Sequence, residues 1–314
     1  MKSFVIYFLV IFVLLENPGA CGAEELSEQD PAAWGDEHQR ASFPDYVTGD
    51  ECLFCHRNVG KTWAENRHTQ TVRPLAPNEP APDTASHAMG HQRMTRFLKR
   101  SNSYGKLDLH TSKSPHGSNR PAAFDGQWDT EKFANQCAGC HTTAVDSRTK
   151  AFSALAIDCV ACHGSVDLAH TSNPSKVVLS KDNRDPRVVV SICGQCHLRG
   201  GKSASTGLPW PNTFLAGDNL FRDYRISLNP RELAKLAPVD RHIFENARDV
   251  AVLGKQQTCL TCHDVHRSSS QKHQELPTVE SCHTCHERDP DSSALTTEFT
   301  QTSGSNARSR VCEY

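Results

Sequence analysis

Six five-residue units could carry the chemistry of this chain: "CLFCH" from Cys52, "CAGCH" from Cys137, "CVACH" from Cys159, "CGQCH" from Cys193, "CLTCH" from Cys259 and "CHTCH" from Cys282. Twelve of the fourteen cysteines lie inside them. Paired Cys-x-x-Cys units can hold zinc, but zinc does not require a histidine directly after every second cysteine. A disulfide between cysteines three apart closes a tight loop and constrains little. A thioredoxin-like dithiol occurs once per domain, on a strand-to-helix turn, not six times among polar loops. Cys-x-x-Cys-His is the attachment signature of c-type haem.

The spacing has a mechanical reason. Two thioethers three residues apart clamp one edge of a porphyrin, and the adjoining histidine lies under the iron. The thioether residues are therefore Cys52, Cys55, Cys137, Cys140, Cys159, Cys162, Cys193, Cys196, Cys259, Cys262, Cys282 and Cys285. The proximal iron ligands are His56, His141, His163, His197, His263 and His286. Eleven further histidines remain: His38, His68, His87, His91, His110, His116, His170, His242, His266, His273 and His283. Beyond the initiator, methionine occurs only as Met89 and Met94. At most two haems can then be His/Met, and at least four must be bis-His or open. Methionine ligation raises the potential, so the set should be of low potential.

The elements that must position these residues are sparse. Only 37% of the 314 residues are hydrophobic and 7% aromatic, low for a globular chain. About 290 mature residues serving six haems leave roughly 48 each, a scale at which side chains alone barely build a core. The porphyrins are expected to supply it. A net charge of −2 offers no electrostatic footprint for nucleic acid.

Lys2, the apolar run Phe4 to Leu15 and the small residues after Pro18 have the order of a secretory signal peptide, residues 1–23. Its apolar run is too short to span a bilayer. Gly19-Ala20-Cys21 also resembles the end of a lipobox, with Pro18 where that motif wants leucine. The chain is thus expected to be periplasmic or otherwise exported, and anchored to a membrane only if Cys21 is lipidated. Residues 24–45 form a polar leader, 46–289 the haem-bearing domain, and 290–314 a Ser/Thr-rich tail without apolar period, expected to be disordered. Short links make Cys137/Cys159 and Cys259/Cys282 candidate neighbouring pairs. "NPRELAKLAP" offers a short helix, and "PWPNTFLAGDN" a loop punctuated by Pro and Gly. Cys21 and Cys312 lie outside the motifs.

The stretch "QCAGCHTTAVDSRTKAFSALAIDCVACHGSVDLAH" resembles the paired-haem core of cytochrome c-554-type multihaem cytochromes. "ECLFCHRNVGKTWAENRH", "SHAMGHQRMTRFL", "ICGQCHLRG" with "LPWPNTFLAGDNL", and "CLTCHDVH" are similar to other units of that family, in the same order. The resemblance covers roughly Tyr46 to Arg288. It departs at "GSVDLAH", where Gly-Pro-Gly is usual, and at Val265, where proline is usual. It implies a mostly α fold with much irregular structure, in which six covalent haems form the core and pack in close pairs. It also implies distal ligands from other segments, here His68, His87, His170 and His266, with His91 one helical turn from His87 as a substitute. His110, His116 and His242 compete for the two remaining distal positions. His266 is too close to His263 to reach round that porphyrin and is expected to cap a neighbouring haem. His283 sits inside an attachment loop, and His38 and His273 look like surface residues.

Three functions follow from this reading. The first is an electron carrier or relay between redox partner proteins. The second is a haem enzyme acting on a small nitrogen oxyspecies at a five-coordinate iron. All six motifs end in histidine, whereas the pentahaem nitrite reductases mark their active haem with lysine. The third is a subunit of an extracellular haem wire, which should lend a histidine to its neighbour.

Overall fold

The computed structural model describes residues 28–35, 49–90, 94–112, 114–115, 124–166, 168–181 and 184–268. The signal peptide, Cys21, His38, His91, His116, His273, the whole sixth motif with Cys282, Cys285 and His286, His283, Cys312 and the tail 290–314 lie outside the described residues.

Two helices, α1 (Gly49–Cys55) and α2 (Arg57–Trp63), open the domain around the first motif. A run of short strands follows: β1 (Val72–Pro74), β2 (His87–Met89), β3 (Met94–Arg100), β4 (Leu107–His110), β5 (Ser114–Pro115) and β6 (Trp128–Asp129). They form one antiparallel sheet in the order β1-β2-β3-β4-β6, with β5 also on β3. Helix and irregular structure carry the motifs, and this sheet is an addition to the mostly α fold that the sequence implied. Its strands are short, and in β3 the buried residues Thr95, Phe97 and Leu98 do not strictly alternate. Their pairing comes from partners rather than from a period-2 pattern.

The register fixes which side chains share a face. His87, Leu98, Leu109 and Asp129 are aligned across the sheet, so they point to one side. Leu98, Leu107 and Leu109 there meet Phe133 of α3 (Lys132–Gln136), Ala138 of α4 (Ala138–His141) and Trp210. His110, paired with Trp128, is turned to the opposite face.

The second and third motifs flank a hairpin of β7 (Thr142–Val145) and β8 (Phe152–Leu155), which leads into α5 (Val160–His163). The fourth motif ends the twelve-residue helix α6 (Pro186–His197). Asp185 caps α6 by accepting from the Arg187 N–H, and Pro186 fills its first position, where no amide donor is needed. Strands β9 (Lys202–Ser203) and β10 (Tyr224–Arg225) pair beyond it. The short helix in "NPRELAKLAP" is α7 (Pro230–Leu233), capped by Asn229. Helix α8 (Pro238–Ala251) presents Phe244, Ala247, Val250 and Ala251 along one stripe, the spacing of an amphipathic helix. That stripe packs on Val190, Leu198, Leu220 and Tyr224 behind α6. Helix α9 (Cys259–Cys262) carries the fifth motif.

Part of the polar leader is pinned to this second core. Asn219 Nδ2 donates to the carbonyls of Pro31 and Trp34, and the Gln29 amide to the Val252 carbonyl. Among the described residues no helix is long and apolar enough to cross a membrane.

Candidate haem-binding site

Each described motif is one helical turn. The histidine N–H donates to the carbonyl of the first cysteine in four of them: His56 to Cys52 (2.9 Å), His141 to Cys137 (3.1 Å), His163 to Cys159 (2.9 Å) and His263 to Cys259 (2.9 Å). The fourth motif is the last turn of α6. A turn of this kind puts residues three apart on one side, so both sulfurs of a unit face the same way. None of the ten described motif cysteines is in a disulfide.

The residues between the cysteines are chosen by packing. A β-carbon on Gly139 would stand 2.3 Å from Cγ of Trp210, so the second motif admits only glycine beneath that ring. Trp210 is 2% exposed and donates through Nε1 to the Asn135 carbonyl at 3.3 Å.

Sulfurs of different motifs meet. The Cys140 and Cys196 thiols are close enough to perturb each other's ionisation. Cys140 Sγ also approaches the Gln195 carbonyl at 3.7 Å, and Cys196 Sγ the Gly139 carbonyl at 3.9 Å. Cys52 likewise neighbours Cys159, and Cys193 neighbours Cys259, whose Sγ lies 3.5 Å from Asn246 Oδ1. The neighbours are therefore first with third, second with fourth, and fourth with fifth. The second and third motifs, the close pair by sequence, leave the same open end of the β7–β8 hairpin, where Thr142 is paired with Leu155 and the Asp158 N–H donates to Thr143 Oγ1. Burial pushes the Cys162 thiol up to about 11, and burial with the Asp158 carboxylate pushes Cys159 up to about 12.

The histidines are gathered in pairs from distant segments. The rings of His56 and His170 are 6.1 Å apart at 27°, those of His163 and His266 5.8 Å apart at 12°, and those of His68 and His197 6.2 Å apart at 80°. Two imidazoles on opposite sides of one metal, each bonded at about 2 Å with the ring centre about 1.1 Å further, stand about 6.2 Å apart. Each pair joins one motif histidine to one outside the motifs. Among the described residues, no group of three or more His, Cys, Asp or Glu side chains is gathered to hold a metal ion.

Ring orientation adds a second criterion. His141 Nδ1 faces the Thr71 carbonyl at 3.3 Å, His163 Nδ1 the Leu179 carbonyl at 2.7 Å, and His68 Nδ1 faces Asn66 Oδ1 at 3.0 Å. A carbonyl only accepts, so Nδ1 carries the proton and Nε2 keeps its lone pair for a metal. Burial lowers the pKa of His68, His141 and His163, and takes His197 down to about 4. Neutral imidazole is the ligating form. The donor set and its spacing fit a haem iron between each pair, and the tautomers of His68 and His163 leave Nε2 with its lone pair for it.

The other histidines stand as follows. His87 is buried on the sheet face that meets the second motif, with Nδ1 at 2.8 Å from Ser86 Oγ. His110 lies on the opposite face, 4.8 Å from the Trp128 ring, with Nδ1 at 2.6 Å from Ser112 Oγ. His242 sits on the exposed side of α8. Sequence reasoning missed Thr71, Leu179, Asn66 and Trp210. Only the tryptophan of "LPWPNTF" carried any signal, as a large aromatic in a polar loop.

Covalent attachment turns and histidines paired across an iron-sized gap define a multihaem c-type cytochrome, and the comparisons with known proteins agree. Residues 88–164, which hold the second and third motifs, match the family model described as cytochrome c554 and c-prime. Residues 252–291, with the fifth and sixth, match the doubled CXXCH motif. The family resemblance read from the sequence is thus borne out. A solved structure similar to this chain is an undecahaem cytochrome from the S-layer of Carboxydothermus ferrireducens, at 17% identity and a TM-score of 0.42. The match covers 78% of this chain and 43% of that one. No curated protein matches the chain.

Proposed function

We propose that this chain is an exported electron carrier, relaying electrons between redox partner proteins through six haems c held mainly between pairs of histidines. The observation that carries the proposal is the set of three cross-motif ring pairs spaced for an iron. Bound haem iron would supply one-electron oxidation and reduction. His56 with His170, His163 with His266, and His197 with His68 would hold three haem irons. His141 and His263 would serve two more, and His286 the sixth. His87 is the candidate partner on the sheet face nearest the second motif.

The chain holds these sites close together. Sulfur contacts link the first motif to the third, the second to the fourth and the fourth to the fifth, and close spacing is what tunnelling between centres needs. Imidazole is a better donor to ferric iron than a thioether, so paired histidines favour the oxidised state and a low potential. Charges so near one another also stagger the titration. Nucleic acid has no part in this reading, and a membrane enters only through a lipid on Cys21.

The test combines a pyridine haemochrome assay and mass spectrometry with a spectroelectrochemical titration of the mature protein. Six haems, titrating mostly well below the range of His/Met cytochromes, are expected. Bound zinc, fewer than five haems, or three or more methionine-to-iron bands would overturn it. Spectral changes on adding nitrite, hydroxylamine or CO would replace the carrier with an enzyme.

A further inference from the structure

Between α2 and the short helical turn Arg67–Gln70 lies Asn66, 3% exposed. Its side chain makes four hydrogen bonds. Nδ2 donates to the carbonyls of Val265 at 2.9 Å and Arg267 at 2.6 Å. Oδ1 accepts from the His68 backbone N–H at 2.9 Å and faces His68 Nδ1 at 3.0 Å. The two carbonyls can only accept, so they fix which end of the amide is nitrogen. The oxygen end then requires a proton on His68 Nδ1, which leaves Nε2 unprotonated.

Capping a helical turn explains one of these bonds. The other three have different targets. One sets the tautomer of His68, whose ring pairs with His197 of the fourth motif. Two hold the carbonyls on either side of His266, whose ring pairs with His163 of the third motif. The carbonyl of His266 itself accepts from Thr62 Oγ1 at 2.7 Å. Three successive carbonyls are thereby tied to one five-residue stretch about two hundred positions earlier in the chain. Trp63 lies in the same stretch, its ring 6.1 Å from His68 and 6.4 Å from His266.

We propose that Asn66 is a positioning residue for two iron centres at once, orienting His68 for the site of the fourth motif and His266 for that of the third. The proposal rests on the assignment of those histidines as distal ligands. The partner that hydrogen-bonds a ligating imidazole fixes its ring and raises its basicity. Asn66 does this directly for His68. For His266 it acts through the backbone, holding the loop that presents the ring.

The two centres can be told apart in the ferric protein. Nearly parallel rings, 12° for His163 and His266, split the two iron d-orbitals that point between the ligands and give a rhombic low-spin signal. Nearly perpendicular rings, 80° for His68 and His197, leave them almost degenerate and give a highly anisotropic one. Electron paramagnetic resonance on the haem-loaded full chain, with His68→Ala and His266→Ala, first identifies each signal by its loss.

Asn66→Asp is the discriminating variant. A carboxylate keeps the helix cap and is a stronger acceptor for His68 Nδ1–H, but it has nothing to donate to Val265 and Arg267. The rhombic signal should be lost to a high-spin species. The anisotropic signal should persist, with the midpoint potential of that centre lowered. Thr62→Val, a milder change, should weaken the rhombic signal alone. Should Asn66→Asp fail to mature, Thr62→Val reads the same loop. If His68→Ala and His266→Ala leave both signals intact, the ligand assignment fails. If each removes its signal but Asn66→Asp and Thr62→Val alter neither signal nor potential, the assignment stands and the role of Asn66 falls. A uniform change in all centres would reduce Asn66 to a structural residue and overturn the proposal equally.

Discussion

Trp210→Ala should loosen the second attachment site more than any other part of the chain. The indole is 2% exposed and packs with Leu98, Leu109, Phe133, Ala138 and Val145. Truncation to alanine removes about 150 Å² of buried apolar surface, worth about 4 kcal/mol at 25 cal/mol per Å². The bond from Nε1 to the Asn135 carbonyl adds about 1 kcal/mol. The total agrees with the ~3–5 kcal/mol typical of large-to-small changes in cores. Trp210→Phe keeps most of the contact and should cost about 1–2 kcal/mol. The converse perturbation is Gly139→Ala, whose methyl would enter the ring from below and cost about 1–3 kcal/mol. In the Trp210→Ala background the ring contacts at 2.3 and 2.5 Å are gone and the contact with the residue-210 β-carbon at 2.6 Å remains, so part of the clash is relieved and the two changes should cost less together than separately. Guanidinium titrations of the loaded protein, followed by far-ultraviolet dichroism and the Soret band, measure all four corners of the cycle. A loss below about 1 kcal/mol for Trp210→Ala, or strict additivity with Gly139→Ala, would refute the claim that this ring seats the motif.

His170→Ala should convert one iron, about a sixth of the total, to high spin while the other low-spin signals hold, because the His170 ring faces that of His56. Magnetic circular dichroism reads this, and an unchanged low-spin population would remove His170 from the ligand set. Asp223 gives a pH prediction. Burial opposes its ionisation, but donation from Ser203 Oγ at 2.5 Å, Ser205 N at 2.9 Å and Asn212 N holds its carboxyl below the ordinary range. A depressed carboxylate stabilises the fold above its unfolded pKa of about 3.9 and loses that contribution as pH falls through the folded value. Asp223→Asn should therefore cost about 1–3 kcal/mol near neutrality, and the difference from wild type should shrink below about pH 4 in denaturation midpoints taken across pH. A constant difference would sink it.

What the sequence disclosed follows from how local each requirement is. Thioether attachment needs two cysteines and a histidine within one helical turn, so a five-residue window holds the whole signal. Distal ligands need only an imidazole arriving from elsewhere, and "TWAENRH" hints at His68 only through the family it resembles. Nothing contiguous marks Asn66, because its partners Val265 and Arg267 lie at the far end of the domain. The sheet was hidden for a related reason. Val72–Pro74 and His87–Met89 are three-residue strands, too short for a period-2 pattern, and their cross-strand neighbours define them. Short links showed only part of how the motifs are grouped. The residues between His141 and Cys159 fold back as a hairpin that keeps the second and third motifs at one end, but the approach of Cys159 to Cys52 left no contiguous signal.

The ring pairs have a consequence for how the protein comes into being. His56 waits for His170, His68 for His197, and His163 for His266, each partner emerging more than a hundred residues after the first. A ribosome delivers these segments in order, so no pair can close while the early part of the chain is all that exists. The first motif stays open on one side until the third has been made, and the third until the fifth. Loops of this length are slow to close, since their entropy is lost before any contact rewards it. A nascent chain released early would expose half-formed sites to stray ligands and to oxidation of their thiols. The last pair to become possible is His163 with His266: only a chain translated past Arg267, where Asn66 also finds its last carbonyl, can close all three.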